Sequence, residues 1–268
     1  MKNLKNTPEG TRDILFDECE RMRLVEAKLS RLFSLRGYHE VITPGIEYYD
    51  VFSTDGGYIS PQSMFKLTDH TGKLIVLRPD CTIPIARMTA TRLRSYPLPI
   101  RLFYNQHLFR AERMLRGKSC ERVQAGVELI GASGRRADLE VLSLAIHTFQ
   151  LFPSADYRIE LGHIGIFHAL AAQLNAPEEE IELLRSLIEQ KNYTALDERL
   201  AQYSDSPAAE SLRILPRLFG NGEVFEKASS LLSPITQSPL AELKAIYDDL
   251  SAIGIGDRIL IDCGMVQS

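Results

Sequence analysis

The sequence predicts an α+β fold: a mainly antiparallel sheet flanked by helices, with a helical insertion. Three observations predict it. Residues 100–110 and 122–130 read as two strands joined by an eleven-residue loop. Residues 64–67 and 74–77 flank Asp69-His70-Thr71-Gly72, the signature of a β-hairpin. From residue 164 to about residue 250 the pattern turns helical, with turn signals and little strand signal.

Each element has its own reason. Asp17 followed by Glu20 resembles a capping box. Met22, Val25, Leu29, Leu32 and Phe33 then recur at helical spacing, and Gly37 suits the stop. Tyr38-His39-Glu40-Val41-Ile42-Thr43-Pro44 reads as a short strand ended by proline. Residues 83–94 read as a helix after Pro84, and Asp138 is the expected cap of a helix running to about Leu151. Residues 157–161 return to strand. Ala176-Pro177-Glu178-Glu179-Glu180 opens a further helix, with proline and acids where the helix dipole favours them. Leu183, Leu184, Leu187 and Ile188 follow on one stripe. Gly220-Asn221-Gly222 and Ser233-Pro234 punctuate more helices, and residues 258–261 return to strand. The expected organisation is a core over 1–163, a helical insertion over 164–250, and a return to the core over 251–268. The last readable strand lies so close to Ser268 that a cut sheet is expected.

Composition narrows the function. The chain has 268 residues, 44% apolar and 25% charged, as in soluble globular proteins. A net charge of −4 argues against wholesale nucleic-acid binding by a basic face. Cys19, Cys81, Cys120 and Cys263 are far apart and match no metal-ligand spacing, so neither zinc nor a disulfide framework is expected. Reduced thiols in the cytoplasm are the simplest reading. No signal pattern and no membrane-length apolar run appears.

Three segments carry candidate chemistry. In Arg122-Val123-Gln124-Ala125-Gly126-Val127-Glu128-Leu129-Ile130, alternation puts Gln124, Gly126 and Glu128 on one face. That face reads either as the floor of a polar pocket, with a small molecule over Gly126, or as an ordinary solvated strand face. In Leu77-Arg78-Pro79-Asp80-Cys81-Thr82, a carboxylate and a hydroxyl stand side by side at a strand end. They can hold an ammonium group, or Asp80 can simply cap the next helix. Between Arg110 and Arg122, five cations in thirteen residues form an anion-attracting hairpin or a solvated loop. Arg110 continues the strand, where a guanidinium can grip a carboxylate or phosphate.

The ordered set of motifs resembles the class II aminoacyl-tRNA synthetase core in its histidyl branch. Gly37-Tyr38-His39-Glu40-Val41-Ile42-Thr43-Pro44-Gly45-Ile46-Glu47 is similar to that class's dimerisation motif. Phe109-Arg110-Ala111-Glu112, then Gln124, then Gly126-Val127-Glu128, is similar to its second motif. Leu77-Arg78-Pro79-Asp80-Cys81-Thr82 resembles the loop that holds the amino group of histidine, and Pro8-Glu9-Gly10-Thr11-Arg12-Asp13 also fits. The resemblance runs from Pro8 to His163 and more weakly to the end.

Two subfamilies compete: histidyl-tRNA synthetases, here as a truncated member, and the synthetase-like regulatory subunits of ATP phosphoribosyltransferase. The second is favoured. Asp80 stands where the synthetase usually has glutamate, and Gly117-Lys118-Ser119-Cys120 where it typically has ATP-handling arginines. Arg158-Ile159-Glu160-Leu161-Gly162-His163 resembles the regulatory version. The chain has no room for the third class motif or an anticodon-binding domain.

The resemblance implies that Asp80, Thr82 and Gln124 hold the histidine amino group. Glu128 would meet the imidazole, and Arg110 would stand near the carboxylate or its activated form. It implies no catalytic residue, no cofactor and no metal. The implied partners are a short-form catalytic subunit, histidine as effector, and a second copy of the chain in a hetero-oligomer, with no nucleic acid and no membrane. A later segment that closes the imidazole side would begin at Met265-Val266-Gln267-Ser268. A stand-alone amino-acid-binding module remains a third reading.

Overall fold

Internal packing divides the chain into two units, Met1–Phe152 and Pro153–Ser268. The computed structural model describes residues 5–53, 59–111, 119–153 and 156–266.

In the first unit, α1 (Phe16–Leu35) turns the stripe of Leu29, Leu32 and Phe33 onto the sheet. It begins one residue before Asp17, after Leu15 with no side-chain cap. Asp17 therefore complements the dipole from the first turn and forms no capping box. Gly37, at φ +81°, ends the helix in the left-handed region. Strand β1 (His39–Glu40) follows, then β2 (Ile46–Tyr48), β3 (Lys66–Thr68) and β4 (Leu74–Leu77). The expected hairpin forms: Asp69 Oδ1 accepts from the Thr71 and Lys73 backbone N–H groups, and Gly72 takes φ +86°. β2 and β3 flank β4, both antiparallel.

Helix α2 (Thr82–Arg92) leads to β5 (Ile100–Phe109) and β6 (Glu121–Ile130), which pair antiparallel along ten residues from Ile100↔Ile130 to Phe109↔Glu121. β1 pairs parallel with β5, so this sheet is mixed rather than wholly antiparallel. Helix α3 (Arg135–Gln150) closes the unit. Its N-cap is Gly134 at φ +81°, and Asp138 lies in the first turn instead of capping. The two faces of β5/β6 have different covers. Phe103, Ala125 and Val127 pack with Phe33, Tyr38 and Leu144 under α1 and α3. Ile100, Leu102 and Tyr104 pack with Cys81 and Ile85 under α2.

The second unit opens with β7 (Ile159–Leu161). The helices α4 (Ile164–Ala172), α5 (Glu178–Glu189), α6 (Tyr193–Leu200) and α7 (Pro207–Ile214) follow. Then come β8 (Phe219–Gly220), α8 (Val224–Leu231), α9 (Gln237–Ala252) and β9 (Ile259–Asp262). Side-chain caps start three helices: His163 on α4, Asn192 on α6 and Ser206 on α7. Leu170, Leu184, Leu200, Leu212 and Leu215 are fully buried at its centre. β9 pairs parallel with β7 and antiparallel with β8. The 163/164 division expected from sequence thus falls inside this unit, in which β9 pairs with β7. β8 escaped the helical reading because two residues carry no periodicity.

Candidate functional site

The register of β5 against β6 places Leu102, Tyr104 and Gln106 opposite Glu128, Gly126 and Gln124, all on the α2 side. The alternation read from the sequence holds. The face is half-buried, however, and it is not open above Gly126. Tyr104 covers the glycine: a Cβ built there would lie 2.5 Å from the tyrosine hydroxyl. The ligand-sized space expected over Gly126 is therefore filled by a side chain the sequence reading did not single out.

Asp80 and Thr82 arrive from the turn between β4 and α2. Asp80 is buried, and its Oδ1 accepts from the backbone N–H groups of Thr82 (2.8 Å) and Ile83 (3.2 Å). It thus caps α2, as the simpler reading of the sequence held. The exposed Thr82 hydroxyl donates to Glu128 Oε1 at 2.8 Å, so the turn and β6 meet directly. Burial raises the Glu128 carboxyl above its ordinary range. The Thr82 bond opposes that shift and the Asp80 charge adds to it. Cys81, between Asp80 and Thr82, is fully buried, and burial pushes its thiol up to about 11. It is an inert packing group here.

Gln124 lies two positions further along the same face, some 13 Å from Glu128 along the strand by the usual rise. Its Oε1 is buried and has no hydrogen-bond partner, as are Thr89 Oγ1 and Asn105 Oδ1 in this unit. An unmatched buried acceptor costs about 1–3 kcal/mol, so the Gln124 oxygen is suited to an incoming N–H donor. Arg110 extends the ladder by one bond, its N–H donating to the Cys120 carbonyl at 2.9 Å. Its Nε donates to the Pro79 carbonyl at 2.9 Å, which fixes the guanidinium beside the Asp80 turn. Of the remaining loop cations, Arg113, Arg116 and Lys118 lie outside the described residues, as do Gln267 and Ser268.

Arg78 organises this arrangement and was not read as important from sequence. It is buried, and its guanidinium donates to the Thr43 carbonyl (2.8 Å), the Thr43 hydroxyl (3.1 Å) and the Pro44 carbonyl (3.2 Å). It also bonds Gln106 Oε1 and, through Nε and Nη2, the His107 carbonyl (3.1 and 2.5 Å). Gln106 Nε2 in turn donates to the Val41 carbonyl at 3.0 Å. One cation, two residues before Asp80, therefore ties the segment after β1, the end of β4 and the end of β5 together. The N-terminal turn adds a brace, because the Cys120 N–H donates to the Gly10 carbonyl at 2.7 Å.

A separate cavity of about 540 Å³ lies on the opposite face, lined by Arg36, Tyr38, Arg101, Glu140 and Ser143. Its polar groups satisfy one another: Arg101 grips Glu140 bidentately at 2.7 and 2.8 Å, and the Tyr38 hydroxyl donates to the same carboxylate at 2.9 Å. Among the described residues no cluster of three His, Cys, Asp or Glu could hold a metal, and no helix is long and apolar enough to cross a membrane.

Comparison with known proteins places the architecture. The family model described as histidyl-tRNA synthetase matches residues 10–268. A protein of Bacillus cereus named ATP phosphoribosyltransferase regulatory subunit is 41% identical over 97% of this chain and 62% of its own length. One of the same name from Clostridium acetobutylicum is 39% identical over 100% of this chain and 67% of its own. The chain thus spans about 62% of the length of the Bacillus cereus relative. A crystal structure from Bacillus halodurans, titled as an ATP phosphoribosyltransferase regulatory subunit/histidyl-tRNA synthetase, superposes with TM-score 0.86 at 30% identity, over 98% of this chain and 69% of that one. The histidyl-tRNA synthetase of a Nostoc species shares the fold alone, at TM-score 0.79 and 18% identity over 98% of this chain and 62% of that one. Matched by that model from residue 10 onward and sharing its class II architecture, the chain belongs to the histidyl-tRNA synthetase family.

Proposed function

We propose that the protein is a non-catalytic regulatory subunit of ATP phosphoribosyltransferase in histidine biosynthesis. It activates a short-form catalytic subunit and reports the histidine level to it. It works in the cytoplasm as a homodimer within the hetero-oligomer, without nucleic acid or membrane. The observation that carries the reading is the meeting of Thr82 with Glu128 beside the buried Asp80, in a chain about 40% identical to relatives of that name. Asp80, Thr82 and the unpartnered Gln124 oxygen take the histidine ammonium. Glu128 takes the imidazole, and Arg110 takes the carboxylate.

Activating an amino acid needs cations on the transferring phosphate, because positioning and electrostatics supply nearly all the rate. The second-motif loop replaces planar arginine forks with Lys118 and Cys120. Cys120 is used structurally, against the Gly10 turn. A site that holds the amino acid without activating it suits a feedback sensor. Coupling of that kind is reciprocal, so ligands of the catalytic subunit shift histidine affinity by the same factor.

The test mixes the full-length protein with short-form catalytic subunits and follows phosphoribosyl transfer. Stimulation that histidine reverses is expected; no stimulation by any such subunit refutes the reading. The family model's own name favours one rival, a histidyl-tRNA synthetase. Histidine-dependent exchange of pyrophosphate into ATP by the full-length protein would establish that rival.

A further inference from the structure

Tyr104 and Gly126 stand opposite each other in the β5/β6 ladder, on the face that carries Gln124 and Glu128. A Cβ at Gly126 would lie 2.5 Å from the Tyr104 hydroxyl oxygen, 2.6 Å from Cζ and 3.0 Å from Cε1. The hydroxyl end of the phenol therefore occupies the space above the glycine that a side chain would fill. It is held there by packing with Cys81, Ile85, Ile100 and Leu102, and Tyr104 is only 4% exposed. Gln124 and Glu128 are the next residues on that face on either side of Gly126, so the hydroxyl falls between the two ends of the candidate site. Burial above all, and then the neighbouring acidic groups Cys81, Glu128 and Asp80, keep this phenol protonated, against the smaller pull of Thr82. It is a standing O–H donor that can also accept.

We propose, on the basis of the histidine reading, that Tyr104 is a specificity-determining residue of the site. Its hydroxyl, seated over Gly126, distinguishes a nitrogen-bearing ring from an apolar ring of the same size. The physical reason is an asymmetry in recognition. An apolar floor separates ligands of equal size weakly, whereas a buried polar group strongly rejects a ligand that leaves it unmatched. Gly126 is part of the same device, since any side chain there would displace the phenol. A purely structural role, an aromatic ring covering a strand glycine, would stabilise the sheet without touching ligand. The two roles differ in selectivity.

The experiment titrates full-length protein with L-histidine and with 3-(2-thienyl)-L-alanine, an isosteric amino acid without ring N–H, by calorimetry. Unaltered protein, Tyr104→Phe and Gly126→Ala are compared, with thermal melts of each. Tyr104→Phe is expected to fold, to bind histidine on the order of tenfold more weakly, and to bind thienylalanine more tightly, because the unmatched hydroxyl that penalised it is gone. Gly126→Ala is expected to lose the same preference. Equal weakening of both ligands, or an unchanged preference in folded Tyr104→Phe, overturns the role of Tyr104 while leaving the histidine reading intact. Unaltered protein that binds no histidine overturns that reading and this role with it.

Discussion

Replacing Arg78 by Met keeps an unbranched stem in the same space and removes the cation. Five acceptors then lose a donor: the carbonyls of Thr43, Pro44 and His107, the Thr43 hydroxyl and Gln106 Oε1. Gln106 Oε1 retains the Thr43 N–H and hydroxyl, both at 3.3 Å, so its loss is partial. Thr43, Gln106 and Arg78 itself are each under 7% exposed, so water cannot replace the donor without opening the junction. Each buried acceptor left unmatched costs about 1–3 kcal/mol, and two or three are stranded in full. The sum, about 2–9 kcal/mol with a central value of about 4 kcal/mol, is a large part of the ~5–15 kcal/mol by which domains are stable. With a urea slope of about 2 kcal/mol per molar, the midpoint of the first unit drops by roughly 2 M. The chain has no tryptophan, so near-ultraviolet circular dichroism of its ten tyrosines is the probe. A midpoint shift below about 0.3 M would show that the guanidinium is dispensable and that the tie it forms is wrongly assigned.

Three further outcomes are expected. Because burial raises the Glu128 carboxyl in the folded state, its stability contribution is full below the ordinary carboxylate range and is lost as pH rises through the folded value. Glu128→Gln should therefore match unaltered protein near pH 4 and melt higher at pH 7; a pH-independent difference would contradict this. Gly10, at φ +78° with Cys120 Sγ in the space of any added Cβ, is strained by Ala on both counts. Gly10→Ala should cost about 1–2 kcal/mol and speed the reaction of Cys120 with a disulfide reagent, an effect that an unchanged thiol rate would disprove. Leu184→Ala, at a fully buried position of α5, should destabilise the second unit by about 2–5 kcal/mol in urea unfolding, while the near-ultraviolet signal of Tyr38 and Tyr104 in the first unit holds.

Local rules made much of this fold legible. Asp69 and Gly72 carry turn chemistry in four residues, Pro177 with three glutamates marks a helix start by composition, and β6 is long enough for its alternation to show. β2 and β8, of three and two residues, lie in segments with too little period to read. Asp138 looked like a cap because of its side chain, but the helix start was set by Gly134, which accepts φ +81° at no steric cost. Within the candidate site, Asp80, Thr82 and Glu128 were legible as candidates because two carboxylates and a hydroxyl announce polar chemistry by residue type. Tyr104 and Arg78 were missed because their roles depend on partners far off in sequence. A bare Gly126 signals close approach, but only the strand register reveals what approaches. The Arg78 partners lie 28 to 35 residues away on other elements.

β7 and β9 sit side by side although a hundred residues separate Ile159 from its partner Ile259. That pairing cannot form by local search, since closing so long a connection is entropically costly and slow. The intervening helices must first assemble and carry the two strand segments together. Amide protons of β7 and β9 should therefore become protected late during refolding, after those of α4 to α7. For the same reason, insertions in loops between those helices should alter the unit's rate of formation more than its final strand register.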